Sequence, residues 1–346
     1  MKTALQGLVG VILAALLLYW VFHDKDPQAL RGALAQASWT GLLLGAFVNF
    51  GHNHFRVLRW RLLLAPVREG VPYRPMFAAV ILGYMITWLV PGRVGELVRP
   101  ALLSAKEKIP LGPSMGSVIA DRLLDGVAIL LLFAIGSATA AFAPGAAAPA
   151  GRIQATAVVL LAIIVAVLAG LLVVGALATR SVTRRPRAWA PLRWLGRAAI
   201  GLAEGTAALR SPGRLVAILA LSILAWATIA AGTWLGVRAA GAAVSYPAML
   251  VMLPMLALGV AIPTPGGVGG YHAAMVAGLT QLFGVDGNVA AGAGLLMHLA
   301  IVLPVLAVGP VLLYTEKVSI KDLVEAAKQV KDLGAALPPP AAEAAP

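Results

Sequence analysis

The chain's 346 residues predict an all-α integral membrane fold, with six transmembrane helices plus two oppositely oriented re-entrant hairpins forming an inverted repeat. Three observations carry that prediction. Hydrophobic residues make up 60% of the chain against 12% charged, and the mean hydropathy of +0.89 lies outside the range of soluble domains. Two apolar segments are broken, at Pro91-Gly92-Arg93-Val94-Gly95-Glu96 and at Pro265-Gly266-Gly267-Val268-Gly269-Gly270, and Pro91 and Pro265 stand 174 positions apart, half the chain. Lys and Arg sort cleanly to one side of the membrane only if both broken segments turn back.

A bilayer demands about 20 consecutive apolar residues for a helical span. Six stretches qualify, roughly 5–22, 39–60, 114–134, 153–178, 213–238 and 289–313. The first resembles a signal peptide in position only: no small-residue cleavage pattern follows it, and Asp24-Lys25-Asp26 comes directly after, so it reads as a retained helix. The first broken segment runs from Met76 to Leu103 and the second from about Ala248 to Phe283. In lipid, Pro and Gly free backbone groups that only protein or a water-lined cavity can satisfy, so matched breaks in two halves point to a central site.

The positive-inside rule decides whether these segments cross. If both cross, the block from Arg180 through Arg184, Arg185, Arg187, Arg193, Arg197 and Arg210 to Arg214 falls outside, together with Lys106 and Lys108. If both are hairpins, all of these become cytoplasmic with Lys2, Arg56 to Arg74 and Lys317 to Lys331, leaving Lys25, Arg31, Arg152 and Arg238 outside. The second arrangement puts both termini in the cytoplasm. Each half then reads span, span, hairpin, span, from opposite faces, which gives pseudo-repeats of about 1–140 and 150–315 within one membrane domain, 1–315. Beyond it, 316–335 reads as a cytoplasmic amphipathic helix and 336–346 as an Ala/Pro tail too poor in apolar residues to fold alone.

The net charge of +13 follows from those cytoplasmic loops, and without aromatic–basic interleaving it does not predict a nucleic-acid partner. The chain has no Cys and five His, with no HxxxH or HExxH spacing, so neither a thiolate nor a helical His metal site is expected, and no cofactor is called for. A nucleotide-binding loop of the GxxxxGK[ST] type does not occur.

The runs Pro91-Gly92-Arg93-Val94-Gly95-Glu96-Leu97-Val98-Arg99-Pro100, Asp121-Arg122-Leu123-Leu124-Asp125 and Pro263-Thr264-Pro265-Gly266-Gly267-Val268-Gly269 resemble the lysylphosphatidylglycerol synthase transmembrane, or flippase-like, family over about 5–315. The resemblance implies a lipid-handling protein of a bacterial or archaeal inner membrane. Many members carry an acidic residue shortly after the second Gly motif, where this chain has Tyr271-His272. Aminoacyl-transferring members carry a large soluble domain after the membrane part, and 316–346 is too short to form one, so translocation without the transferase is expected.

Charges at bilayer depth cost at least about 2.5 kcal/mol each and need partners or ligands. In the first break, Arg93 and Arg99 offer planar forks suited to phosphate, Glu96 neutralises one of them, and Gly92 and Gly95 free a helix start whose N–H groups face the cavity. Gly266, Gly267 and Gly269 of the second break offer bare backbone. On 39–60, Asn49, His52, Asn53 and Arg56 form a polar stripe facing the bundle interior, with Asn53 and Arg56 as candidate substrate contacts. Asp121, Arg122 and Asp125 lie within one turn of each other and read as an ion-pair network, with Asp125 the better candidate for proton coupling. His272 and His298 read as lone imidazoles, either able to couple protonation to transport.

Three functions remain: a transporter or flippase for an anionic lipid or lipid-linked phosphate head group; a non-catalytic accessory subunit of a phospholipid, hopanoid or glycolipid biosynthetic complex; and a lipid-modifying transferase. The first is preferred, because no residue set supplies nucleophile, base and electrophile together. Its expected partners are the membrane, an anionic lipid substrate, and a second copy of the chain or a lipid-biosynthesis enzyme.

Overall fold

The computed structural model describes residues 2–90, 94–182 and 204–326. It is all-helical among these residues, and the helices bracket the six predicted spans: α1 (Lys2–Phe22), α3 (Trp39–Leu64), α6 (Leu111–Thr139), α7 (Ala147–Val182), α8 (Pro212–Ala239) and α11 (Gly287–Thr315). The broken segments are helix pairs, α4 (Tyr73–Leu89) with α5 (Gly95–Glu107) and α9 (Tyr246–Ala261) with α10 (Gly270–Phe283). Residues Pro91, Gly92, Arg93, 183–203 and 327–346 lie outside the described residues, and with them most of the basic block, the end of the amphipathic helix and the Ala/Pro tail.

One helix was not foreseen. The chain bends by 90° after α1 into α2 (Pro27–Ala35), which starts because the Asp26 carboxylate accepts from the Gln28 N–H and Pro27 fits the first helical position without needing a donor. Similar caps set α3, where the Ser38 hydroxyl accepts from Gly41 N–H, and α11, where Asp286 accepts from Asn288 and Val289.

Corresponding elements of the two halves recur at nearly one offset. Trp39 and Pro212 open α3 and α8, and Tyr73 and Tyr246 open α4 and α9, each pair 173 positions apart. The packing repeats with them. In the first pair a Cβ on Gly95 would sit 1.8 Å from the Gly83 carbonyl oxygen, and in the second a Cβ on Gly270 would sit 2.2 Å from that of Gly259. Each pair of arms is therefore held together at a glycine–glycine contact that admits no side chain.

The halves also exchange contacts. Gly136 of α6 takes Leu250 and Pro247 of α9 against its backbone, while Gly309, 173 positions on in α11, takes Met85 of α4. The second break turns on Gly266, Gly267 and Gly269 at φ +61°, +65° and +87°, which explains why it is glycine where the first break is charged. Its tip abuts the end of α4: the Cβ positions of Gly266 and Gly267 fall 3.3 Å from the Trp88 carbonyl and indole.

One end of the molecule gathers the start of α4, the end of α5 and the end of α11, where Arg74 Nε lies 2.7 Å from Glu316, Lys106 pairs with the same carboxylate, and Arg68 meets Glu107 at 3.4 Å. The opposite end gathers the starts of α3 and α11 and the ends of α6, α8 and α10: Ser38 N–H donates to Ala239 O, Ala143 N–H to Leu282 O, and Asp26 N–H to the Asn288 side chain. Between the ends, α3 and α8 cross so closely that a Cβ on Gly232 would lie 2.5 Å from Asn49 N.

Large apolar side chains point outward along the bundle, among them Leu43 and Phe47 of α3, Val158 and Ile163 of α7, and Leu299 and Leu303 of α11. In α8 and α11, which are long and apolar enough to cross a membrane by themselves, only 28% and 33% of the apolar window is buried inside the protein. Such surfaces have no stable exposure to water, and hydrocarbon is the solvent that suits them. The protein is an all-α membrane protein.

Candidate functional site

The polar stripe on α3 meets the charged turn of α6 inside the bundle. Arg56 Nη1 donates to Asp125 Oδ2 at 2.9 Å, and Arg59 Nη1 donates to Asp125 Oδ1 at 2.8 Å and to the Ser222 hydroxyl at 3.0 Å. The Trp226 indole N–H of α8 donates to the same Asp125 oxygen at 2.8 Å. One turn back, Asp121 accepts from Arg99 Nη2 at 2.8 Å and Arg122 Nη2 at 3.2 Å, and lies at ion-pair distance from Arg59 Nη2, 2.6 Å, off hydrogen-bond geometry. Arg122 also reaches Asp125 at 3.4 Å and Glu96 at 3.8 Å.

Burial makes this cluster consequential. Arg59 and Asp121 are fully buried, and Arg56, Arg99 and Asp125 are at most 4% exposed. Charges removed from water this completely are tolerated only when paired, and among the described residues four arginines share Asp121, Asp125 and Glu96, an excess of one positive charge. Aromatic faces carry part of that excess: Arg99 stacks over Trp60 at 4.7 Å, and Arg56 lies between Trp226 at 5.3 Å and Tyr84 at 5.9 Å.

Beside the cluster opens a cavity of about 340 Å³, walled by helices of both halves. Arg56, Arg122 and Asp125 form its charged wall, with Asn49, His52 and Asn53 continuing along α3 and Tyr84 and Trp88 along α4. Leu253, Leu256, Ala257 and Val260 of α9 line it with apolar surface, and Tyr271 and His298 close it near the second break. That mix of an apolar lining with a few convergent polar groups is the ordinary character of a ligand pocket.

The structure divides the residues singled out from the sequence. Asn53, Arg56, Arg122, Asp125 and His298 line the cavity. Glu96, Arg99 and Gly95 do not: they surround a separate space of about 10 Å³, room for one water, and Arg99 is spent on Asp121 and Trp60. Asp121 lies behind the charged wall. Gly266, Gly267 and Gly269 build the turn of the second break, and Gly92 and Arg93 lie outside the described residues. Asp125, read as the proton-coupling candidate, is anchored by Arg56, Arg59 and Trp226, with Arg122 alongside.

His272 and His298 are not the lone imidazoles they appear in the sequence. Their rings stack at 4.8 Å, 22° from parallel, with Tyr271 at 5.4 Å and Trp88 at 5.7 Å from His298. His272 Nδ1 accepts from the Gly269 N–H at 3.3 Å, capping the start of α10. Arg59, one of the arginines 56 to 74 assigned to the cytoplasmic side, was not singled out for the site and is fully buried in it. Its signal was present: Arg59 is three residues after Arg56 and extends the polar stripe by one turn. Tyr84, Trp88 and Trp226 gave none, because an aromatic residue in an apolar helix reads as packing.

The family described as lysylphosphatidylglycerol synthase TM region matches the chain over residues 7–309. No curated protein matches the chain.

Proposed function

Because the chain belongs to the lysylphosphatidylglycerol synthase transmembrane family, whose membrane region has a place in lipid metabolism, we propose that it passes an anionic lipid head group between leaflets of the cytoplasmic membrane. The observation that carries this reading is the cavity's charged wall. Arg56 and Arg122 face it with a single carboxylate, Asp125, between them, so an entering phosphate meets net positive charge and planar donors in a low-dielectric site. The acyl or prenyl tail stays in lipid outside the bundle.

The proposed topology is six spans with α4–α5 and α9–α10 as re-entrant hairpins from opposite faces, both termini cytoplasmic. At about 1.5 Å per residue the arms, of 17, 13, 16 and 14 residues, reach about 20 to 26 Å, short of the roughly 30 Å hydrocarbon core. Support also comes from Arg74 and Lys106, which share Glu316 although they stand at opposite ends of the α4–α5 segment. The meeting of the second tip with Trp88 at the end of α4 supports a central site, at which rocking of one half against the other would open the cavity to alternate sides.

Translocation rather than covalent chemistry is our reading, and it is supported by the guanidinium groups that occupy both aspartates and leave them poorly placed to act as base or nucleophile. The test is leaflet exchange of a fluorescent anionic phospholipid in vesicles carrying the purified protein. Exchange above that of protein-free vesicles, lost in Arg56→Gln at unchanged folded protein level, is the expected result. Exchange equal to protein-free vesicles for the wild type would refute the proposal.

A further inference from the structure

The end of the cavity away from the arginines has a chemistry that phosphate binding does not use. Its wall carries no charge: Arg56, Arg122 and Asp125 are the charged residues of the lining, and all three belong to the α3–α6 cluster. Trp88 lies one turn beyond Tyr84 on α4, so its indole is displaced about 6 Å along the helix from the ring that touches Arg56. There Trp88, Tyr271 and His298 form an aromatic corner, with centroids 5.7 Å and 5.4 Å from the imidazole.

Two polar atoms of that lining are without partners among the described residues. The Tyr271 hydroxyl is buried and makes no hydrogen bond, and Asn53, whose amide N–H donates to the Phe50 carbonyl at 2.8 Å, leaves its Oδ1 unpaired. A buried hydroxyl and a buried amide oxygen without partners are uncommon and costly. Between them they present one group able to donate or accept and one that accepts, beside flat aromatic surface, with Asn53 one turn of α3 from Arg56. A cationic moiety would find no carboxylate there, and a second phosphate would find no guanidinium.

We propose that this end of the cavity is a subsite for a neutral, hydroxyl-rich ring the size of a single hexose, joined to the phosphate held by Arg56 and Arg122. Tyr271 and Asn53 take its hydroxyls, and Trp88 packs against its apolar face, as amphipathic aromatic side chains do. A volume of about 340 Å³ stands at the low end of ligand pockets, which run from about 300 to 1,000 Å³, and therefore admits one ring rather than an oligosaccharide. The substrate class is a lipid carrying a monosaccharide through a phosphodiester. This rests on the head-group reading of the cavity.

The test uses the full chain in detergent and two probes with the same octyl chain and phosphodiester, hexosyl octyl phosphate and methyl octyl phosphate. Wild type should bind the hexosyl probe about tenfold or more tightly than the methyl probe. Tyr271→Phe and, independently, Asn53→Ala should each weaken the hexosyl probe about three- to tenfold, the loss of one neutral hydrogen bond, and Tyr271→Phe should leave the methyl probe within twofold. Equal wild-type affinities for the two probes overturn the subsite while the phosphate site stands, and that comparison needs no variant to fold. Failure of both probes to bind overturns the head-group reading itself. Equal losses of both probes in Tyr271→Phe assign Tyr271 to packing and overturn its role here.

Discussion

Asp121 offers the sharpest test of the buried cluster. Among the described residues Arg56, Arg59, Arg99 and Arg122 face Glu96, Asp121 and Asp125, so Asp121→Asn adds one positive charge to the excess in this cluster while barely changing volume. Breaking a fully buried pair by removing one partner costs about 3–5 kcal/mol, because the guanidinium left behind is neither hydrated nor compensated. Arg99→Met removes a cation instead. It loses the Asp121 contact and the stack on Trp60, but Asp121 keeps Arg59 and Arg122, so about 1–2 kcal/mol is expected. In the double variant the methionine discards the cation that the first change stranded. Its loss should therefore be smaller than the sum of the singles by about 1.5 kcal/mol or more, at the upper part of the range for contacting residues. Unfolding in mixed detergent micelles, followed by tryptophan fluorescence, measures all three. Additivity within about 0.5 kcal/mol would show that Asp121 and Arg99 do not compensate each other and would refute the charge-balance account.

Gly95→Ala and Gly270→Ala should each destabilise by about 1–3 kcal/mol, since the added methyl meets backbone oxygen rather than a movable side chain; wild-type melting in either would contradict the matched arm contacts. Glu316→Gln, at the end where Arg74 is largely exposed, should cost under about 1 kcal/mol, with a difference from wild type that shrinks as salt is raised. Arg93→Ala should abolish head-group translocation in reconstituted vesicles at intact protein levels, whereas Glu96→Gln, off the cavity, should leave it within a few-fold; wild-type transport in Arg93→Ala would remove the first break from the pathway. Single cysteines at 106, 187 and 285 should label from the cytoplasm, the cytoplasm and the outside, in a chain with no native Cys; external labelling at 187 would exclude paired hairpins.

Helices in lipid are legible because the solvent sets their length and composition together, and α8 and α11 extend the apolar runs 213–238 and 289–313 by only one or two residues at each end. The breaks were legible for the same reason, since Pro and Gly have few uses at that depth. The short α2 was missed although Asp26-Pro27 is a helix-start signal, because nine residues fall below any span-length search. What the site does was less legible. The two halves pack against each other, so Gly136 seats α9 and Gly309 seats α4, and within the first half Arg59 pairs with Asp121 sixty-two positions away. Such pairings leave no local periodicity. Arg99 illustrates the consequence: its planar fork suits phosphate, yet Asp121 takes its guanidinium in a space too small for a head group, and the charge that does face the cavity comes from Arg56 and Arg122. An arginine buried in a membrane helix therefore identifies a polar site without saying whether ligand or carboxylate fills it, and only the count of opposite charges around it separates the two.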